Sequence, residues 1–281
     1  MLTVELEGGF PSPLERNRIA NLALRLRGIC ADPIDTVVVL GSGWQASADT
    51  LGETVATALF SQVFSLPAPS APGHSDTISV RDYGGKKILV FESRLHLYEG
   101  HNSAEVCRPL RSAIFLGAHK VLLTNASGSL HPGLQPGNIA FIRDHVNLMG
   151  TSPLLGDFHI DTPAKRFLPQ AYPYHIPALP GLVEPPRSVV YAGMLGPQYE
   201  TPAEGNLLRN LGCDVAGMST VQETIAAKAM DATVVGLTLV TNYVAGVAAH
   251  AAPIAPLELA ALQRTPMTTA LSAIIAALTK L

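Results

Sequence analysis

The alternation of short apolar runs with helical segments constrains the fold of this 281-residue chain more than any other feature. Thr36–Leu40 and Val234–Val240 are two of the runs, and each is almost wholly apolar. A short run without polar alternation is typical of a strand that is covered on both faces. The other runs of this kind are Lys87–Phe91, Val121–Leu123, Ile139–Ile142 and Ser188–Tyr191.

The segments between these runs have the periodicity of helices. Residues 13–29 place Leu14, Ile19 and Leu22 at helical spacing with arginines between the apolar positions, which predicts an amphipathic helix. Strands that alternate with helices favour an α/β fold with a central mixed β-sheet flanked by helices. We expect residues 1–281 to form a single domain, because no linker or internal repeat divides them. The other predicted helices are Ala104–Leu116, Ala203–Leu211, Val221–Met230 and a C-terminal pair split near Pro266.

Composition and charge exclude several classes of partner. The net charge is −3 and the basic residues form no cluster, so we expect no nucleic-acid partner. The apolar stretches are shorter than the roughly 18 residues of a spanning helix, and the N-terminus lacks a signal-peptide pattern. We therefore expect a cytoplasmic protein with no membrane association. Three scattered cysteines have no metal-site or disulfide spacing, and only 15% of residues are charged, which hints at a buried oligomer interface.

Three stretches of small and hydroxyl-bearing residues follow predicted strands, and they are Leu40–Gly43, Leu123–Ser129 and Ala216–Thr220. Small side chains let backbone N–H groups approach an anion closely. Three such loops therefore suggest one shared phosphate site, which Ser42 could contact. A plain tight turn is the alternative interpretation around Ser42. The dinucleotide fingerprint is incomplete there, because its third glycine position holds Ala46.

A second candidate group of residues follows the predicted strand Lys87–Phe91. Arg94, His96 and Tyr98 alternate along an extended segment, which would put their side chains on one side. The arginine offers a planar fork to phosphate oxygens, and the histidine can donate to phosphate or take up its proton. The tyrosine could close over a sugar. An ordinary polar edge strand is the alternative, and His74 by itself is more typical of an exposed loop histidine.

Two further segments carry groups that suit a heterocycle. Tyr199 and Glu200 precede a predicted helix that Thr201 could cap. An aromatic face beside a carboxylate can stack on a base and accept its N–H. Asn242 follows the strand Val234–Val240, where open α/β sheets place ligand groups. Its amide can both donate to a base and accept from it.

Taken together, these segments resemble the trimeric, low-molecular-mass class of purine nucleoside phosphorylases. The resemblance runs from Val38 to about Gly246. Its markers, in order, are Gly-Ser-Gly, Pro-Gly-His, Arg-x-His-x-Tyr-Glu-Gly, Thr-Asn-Ala-x-Gly, Asp-His-x-Asn-Leu, Gly-Pro-x-Tyr-Glu-Thr-Pro-Ala-Glu, Gly-Met-Ser-Thr-Val-x-Glu and Thr-Asn. It implies the nucleoside phosphorylase fold, a homotrimer and a role in purine salvage. The implied reaction converts a purine nucleoside and inorganic phosphate, a co-substrate, into free purine and ribose 1-phosphate without metal or cofactor.

The resemblance also implies roles for individual residues. Tyr98 and Met218 would hold the ribose, and Tyr199 would pack on the base. Glu200 would accept from the N1–H of the base, and Asn242 would bond to N7 and O6. The groups that would bind phosphate are Ser42, His74, Arg94, His96, the Ala126 backbone and Ser219.

Base preference follows from the same resemblance. His96, Glu200 and Asn242 would form the catalytic set, and an amide paired with a carboxylate suits 6-oxopurine (deoxy)ribonucleosides such as inosine and guanosine. In the related methylthioadenosine phosphorylases an Asp replaces the amide and favours 6-aminopurines. Pro256 stands where the family has a histidine for the ribose 5′-hydroxyl, and nearby His250 is the candidate replacement. The alternatives are a methylthioadenosine or broad-specificity phosphorylase, a non-catalytic nucleoside-binding protein and a dinucleotide-dependent oxidoreductase.

Overall fold

The computed structural model describes residues 13–71, 74–156, 167–179, 186–247 and 264–281. In this part of the chain the strands are β1 Ile34–Val39, β2 Glu53–Leu59, β3 Thr77–Tyr83, β4 Lys86–Phe91, β5 Lys120–Ser129, β6 Ile139–Asn147, β7 Arg187–Gly193, β8 Val215–Gly217 and β9 Thr233–Tyr243. The helices are α1 Pro13–Ile29, α2 Phe60–Phe64, α3 Ser103–Phe115, α4 Pro202–Asn210, α5 Val221–Lys228 and α6 Arg264–Leu278. Short 3₁₀ turns lie at Gln45–Leu51 and Leu97–Glu99.

The strands form one mixed sheet whose two halves share β5. One half has the order β2-β3-β4-β1-β5, in which β1 lies parallel to both β4 and β5. The other half closes on itself, because β5 pairs with β8 and also with β9, while β8, β7, β6 and β9 pair in turn. The parallel pairing of β5 with β9 runs from Lys120 beside Thr233 to Ser129 beside Tyr243. The carboxyl ends of β1, β4, β5 and β9 therefore lie at one edge of the sheet.

Apolar side chains cover both faces of the sheet. On β1, Val37 and Val39 belong to the core cluster that includes α1 and α3, whereas Val38 belongs to the cluster that includes α6. Side chains alternate between the faces of a strand, so a run covered on both sides must be apolar throughout. The predicted α/β fold, with a mixed sheet flanked by helices, is confirmed.

Two local predictions around the site are wrong. Leu123–Ser129 is not a loop, because its small residues continue β5 and pair with β9 and β8 as far as Ser129. Arg94, His96 and Tyr98 do not alternate along one extended segment, because the chain turns into a 3₁₀ helix at Leu97–Glu99.

The C-terminal prediction is only partly covered by the described residues. Helix α6 begins at Arg264, close to the predicted boundary, and Pro266 lies in its first turn, where a missing N–H costs no internal hydrogen bond. The first helix of the predicted pair falls in residues 248–263, outside the described residues. Among the described helices, none combines the length and the apolarity that crossing a bilayer would require.

Candidate active site

A pocket opens at the sheet edge where β1, β4, β5 and β9 end. It encloses ≈ 710 Å³ when the open space at its mouth is included. Ten of the twelve residues predicted for the site line this pocket: Ser42, Arg94, His96, Tyr98, Ala126, Tyr199, Glu200, Met218, Ser219 and Asn242. The structure thus brings together segments that are far apart in the sequence. His74 lies just behind the lining, and His250 falls outside the described residues, as does Pro256.

Arg94 presents an unpaired donor at one end of the pocket. Its Nε lies 3.0 Å from Oε2 of Glu223, and its Nη1 donates to the Thr124 carbonyl at 2.5 Å. Nη2 is buried and has no hydrogen-bond partner among the described residues. A Cβ at position 41 would lie 2.7 Å from Nη1, so Gly41 is needed for this close approach. A buried donor without an acceptor is costly, so Nη2 is a candidate to bind an anion.

The Ser219–Thr220 turn lies at the same end of the pocket. Thr220 has φ +68° and ψ −45°, and Val221 N donates to the Ser219 carbonyl at 2.7 Å. This γ-turn is rare and costs about 1–3 kcal/mol for a β-branched residue. Asn125 Nδ2 donates to Thr220 Oγ1 at 2.8 Å, and Ser219 N donates to the Tyr191 hydroxyl at 3.3 Å. The surrounding bonds therefore hold a strained turn that aims Ser219 at the pocket.

His74 supports the hydroxyl of Ser42 from behind. Its Nε2 lies 3.1 Å from Ser42 Oγ, and its Nδ1 accepts from the backbone N–H of Arg94 at 3.4 Å. Burial, followed by repulsion from His96 and Arg94, lowers the pKa of His74 to about 4. The ring is therefore neutral at pH 7. With Nδ1 accepting, Nε2 carries the proton and donates to Ser42.

His96 is oriented by Glu99, a residue that sequence analysis did not assign to the site. Glu99 Oε2 accepts from His96 N at 2.6 Å and lies 3.1 Å from Nδ1, while Oε1 accepts from Ser70 N at 2.8 Å. Burial opposes ionisation, but hydrogen bonds from His96 and Ser70 hold the pKa of Glu99 at about 2. The carboxylate therefore fixes the proton on Nδ1 and leaves Nε2 for a ligand. Tyr98 stacks on the imidazole, with ring centroids 4.7 Å apart.

Asn242 lies at the other end of the pocket, within β9 rather than after it. Its Oδ1 accepts from the Thr241 hydroxyl at 2.9 Å, and its Nδ2 donates to the Tyr243 carbonyl at 3.1 Å. Because the Tyr243 carbonyl can only accept, the amide atom beside it must be the donor Nδ2, and the other amide atom is the acceptor Oδ1. A Cβ at position 128 would lie 3.1 Å from Nδ2, and Gly128 leaves room for the amide.

Tyr199 and Glu200 form the opposite wall at this end. The predicted helix start is confirmed, because Thr201 caps α4 and forms a capping box with Glu204. This cap holds the preceding residues at the pocket. Burial raises the pKa of Glu200, whereas the Tyr199 ring is 64% exposed and free to cover a planar ligand. Met218 packs between the two ends, against Gly196.

The pocket combines groups whose chemistry suits an anion with groups whose chemistry suits a planar heterocycle. One lining residue, Arg94, has a buried donor without a partner among the described residues, and the amide of Asn242 and the carboxylate of Glu200 line the same pocket. Tyr98 and Met218 also line it, and their largely apolar surfaces suit a sugar ring. In the part of the chain that the structure describes, no group of three histidine, cysteine, aspartate or glutamate residues could hold a metal ion.

The chain belongs to a known class of enzymes, since the family model of the phosphorylase superfamily matches residues 35–276. The purine nucleoside phosphorylase of Mycobacterium leprae (strain TN) is 42% identical over 215 residues, which cover 76% of this chain and 78% of the relative. That of Bos taurus is 34% identical over 221 residues, covering 74% and 75%. The chain belongs to the purine nucleoside phosphorylases of this superfamily, which are pentosyltransferases.

A solved structure agrees with this assignment. Schistosoma mansoni purine nucleoside phosphorylase in complex with inosine matches with a TM-score of 0.80 and 28% identity. The match covers 92% of this chain and 95% of the other. The family predicted from the sequence motifs is confirmed, and so is the fold class.

Proposed function

We propose that this protein catalyses the reversible phosphorolysis of 6-oxopurine nucleosides such as inosine and guanosine. The observation that carries the proposal is the buried, unpaired Nη2 of Arg94 in the same pocket as Glu200 and Asn242. The first group calls for an anion, and the other two suit a base. A nucleoside bound with phosphate supplies both in one complex.

At the anion end, several donors converge on inorganic phosphate in this proposal. Arg94 supplies the charge, and a dianion held in line with the sugar is ready to attack C1′. Tyr98 and Met218 flank the ribose above it. The proposed phosphate ligands are Ser42, Arg94, His96, the Ala126 N–H and Ser219, with His74 orienting Ser42.

At the base end, the protein stabilises the leaving group. The C1′–N9 bond breaks with its electron pair moving into the purine, while a phosphate oxygen forms the new bond to C1′. The sugar passes through an oxocarbenium-like state that the dianion stabilises. Asn242 bonds to N7 and O6, where negative charge develops, and this contact strengthens in the transition state. Glu200 accepts the N1–H that 6-oxopurines carry, and Tyr199 stacks on the ring.

The same proposal extends to assembly and location. We propose a cytoplasmic homotrimer in which residues 1–281 act as one domain. The low charged fraction of 15% supports a buried interface. The exposed apolar side chains of Leu207 on α4 and of Leu211, directly after it, also support it.

Ultraviolet spectra of inosine test the proposed reaction. We expect the protein to convert inosine to hypoxanthine when inorganic phosphate is present and to leave inosine unchanged when it is absent. Requirement for phosphate distinguishes phosphorolysis from hydrolysis. Binding of inosine with no phosphate-dependent release of the base would contradict the proposal and favour a nucleoside-binding protein.

The role of Glu200 predicts a specific pH dependence. Burial raises its pKa, so the carboxylate is lost at a higher pH than the ordinary value of 4.5 as the solution is acidified. The ionised form is the stronger acceptor of N1–H, and we therefore expect kcat/KM for inosine to fall on the acid side with a midpoint above that value. Rate profiles against pH at saturating phosphate measure this.

Two variants distinguish the effect of Glu200 protonation on the pH profile from the effect of phosphate protonation. Glu200→Gln should lower kcat/KM and remove this acid limb. Glu204→Gln changes a neighbouring glutamate whose pKa is lowered by its bonds to Thr201, and it should keep the limb. An unchanged acid limb in Glu200→Gln would contradict the assignment.

A further inference from the structure

Glu223 is a buried carboxylate to which the proposed reaction gives no role. It is the third residue of α5 and is 3% exposed. Its Oε1 accepts from Arg94 Nε at 3.2 Å, and its Oε2 lies 3.0 Å from the same nitrogen. Oε2 also accepts from the backbone N–H of Thr220 at 3.2 Å. One carboxylate thus contacts both of the elements that form the anion end of the pocket.

These contacts determine which way Arg94 points. Glu223 holds Nε, and the Thr124 carbonyl holds Nη1. Because a guanidinium is planar and rigid, two fixed nitrogens fix the direction of the third. Nη2, the nitrogen without a partner among the described residues, is left to serve the ligand.

The same carboxylate acts on the strained turn. Thr220 is a β-branched residue at φ +68°, a conformation that persists only when its surroundings hold it. Asn125 bonds to its hydroxyl, and Glu223 accepts from its N–H. The turn in turn places Ser219, so Glu223 sets where that hydroxyl lies relative to Arg94.

We propose that Glu223 is a positioning residue that holds Arg94 and the Ser219–Thr220 turn in the one geometry in which both bind the same phosphate. This inference rests on the proposed function of the pocket. A negative charge close to the site would by itself repel phosphate, so its removal would strengthen phosphate binding. A positioning role has the opposite sign, and the two are therefore separable by experiment.

Glu223→Gln is the sharpest test, because it keeps the volume of the side chain. The amide is uncharged, and its NH2 group takes the place of one of the two carboxylate oxygens that face Arg94 Nε, so a donor would oppose a donor there. Isothermal titration with inorganic phosphate should give a Kd about 10- to 100-fold weaker than that of the unchanged protein, as when an outer partner of a bound ion is lost. The Kd for inosine should change by less than about twofold.

Glu105→Gln is the matched control. Glu105 occupies the same third position of α3 and forms a capping box with Asn102, but it does not line the pocket. We expect Glu105→Gln to bind phosphate as the unchanged protein does. Equal weakening in both variants would mean that loss of a helix cap explains the effect, and it would overturn the proposal.

Two other results would overturn it. One is a folded Glu223→Gln protein that binds phosphate as tightly as the unchanged protein, or more tightly. If Glu223→Gln does not fold, Glu223→Asp is measured instead. Aspartate keeps the charge but is one methylene too short for both contacts, and an unchanged phosphate affinity in this variant would also refute the role.

Failure of the proposed function gives a different result. In that case the unchanged protein would bind phosphate but would not release the base.

Discussion

Asn242→Ala is expected to lower kcat for inosine phosphorolysis by about 10²–10³-fold, the usual effect of removing one donor aimed at developing charge. Alanine leaves the purine without a partner at N7 and O6, where electrons accumulate as the glycosidic bond breaks. Steady-state ultraviolet assays at saturating phosphate measure the loss. Asn138→Ala is the matched control, because the Asn138 side chain is exposed and accepts from Gln135 N in a turn outside the pocket. Near-normal turnover of Asn242→Ala would place the base site elsewhere.

Asn242→Asp distinguishes loss of the side chain from a change in its chemistry. A carboxylate accepts but does not donate, so it disfavours O6 and suits a 6-amino group. We expect the ratio of inosine to adenosine turnover to shift toward adenosine. An unchanged ratio would contradict the role of Asn242 in base selection and would favour a broad-specificity phosphorylase.

Arg94→Met is expected to weaken phosphate binding at least about 100-fold and to destabilise the fold. The variant removes the charge of the anion site and leaves the Glu223 carboxylate buried without its cation. Removing one partner of a buried ion pair typically costs about 3–5 kcal/mol. Phosphate titration measures the first effect, and urea unfolding measures the second.

Two further variants separate these effects of Arg94→Met. Combining it with Glu223→Gln should restore much of the free energy of unfolding but not phosphate binding. Arg108→Met breaks another buried pair, in which Arg108 Nε donates to Glu15 at 2.6 Å away from the pocket. It should cost stability and leave phosphate affinity unchanged. Phosphate binding of normal strength in Arg94→Met would refute the anion site.

Buried strands were predictable because burial on both faces demands apolar residues. Thr36–Leu40 corresponds to β1 in this way, and the motifs that follow such strands converge as expected. β2 was missed because it lies at the sheet edge, where Glu53–Leu59 has alanine and threonine on a largely exposed strand. The strand character of Leu123–Ser129 was also hidden. It depends on pairing with β8 and β9, which local residue preferences do not encode.

The supporting carboxylates were the least predictable part of the site. Glu99 and Glu223 carry the charge that phosphate avoids, so the residue types alone argue against placing them beside it. Their roles depend on contacts that the fold creates, one with the imidazole of His96 and the other with the guanidinium of Arg94. The phosphate-binding roles of His96 and Arg94 were predictable from their side-chain chemistry, whereas the carboxylates that orient these two side chains were not.

A crystal structure with inosine and sulfate tests the central claim most directly, because sulfate stands in for phosphate without reacting. We predict one sulfate within about 3 Å of both Arg94 Nη2 and Ser219 Oγ, with the purine between Glu200 and Asn242. A structure in which Arg94 and Ser219 lie too far apart to contact a common sulfate, or in which inosine binds outside this pocket, would contradict the account.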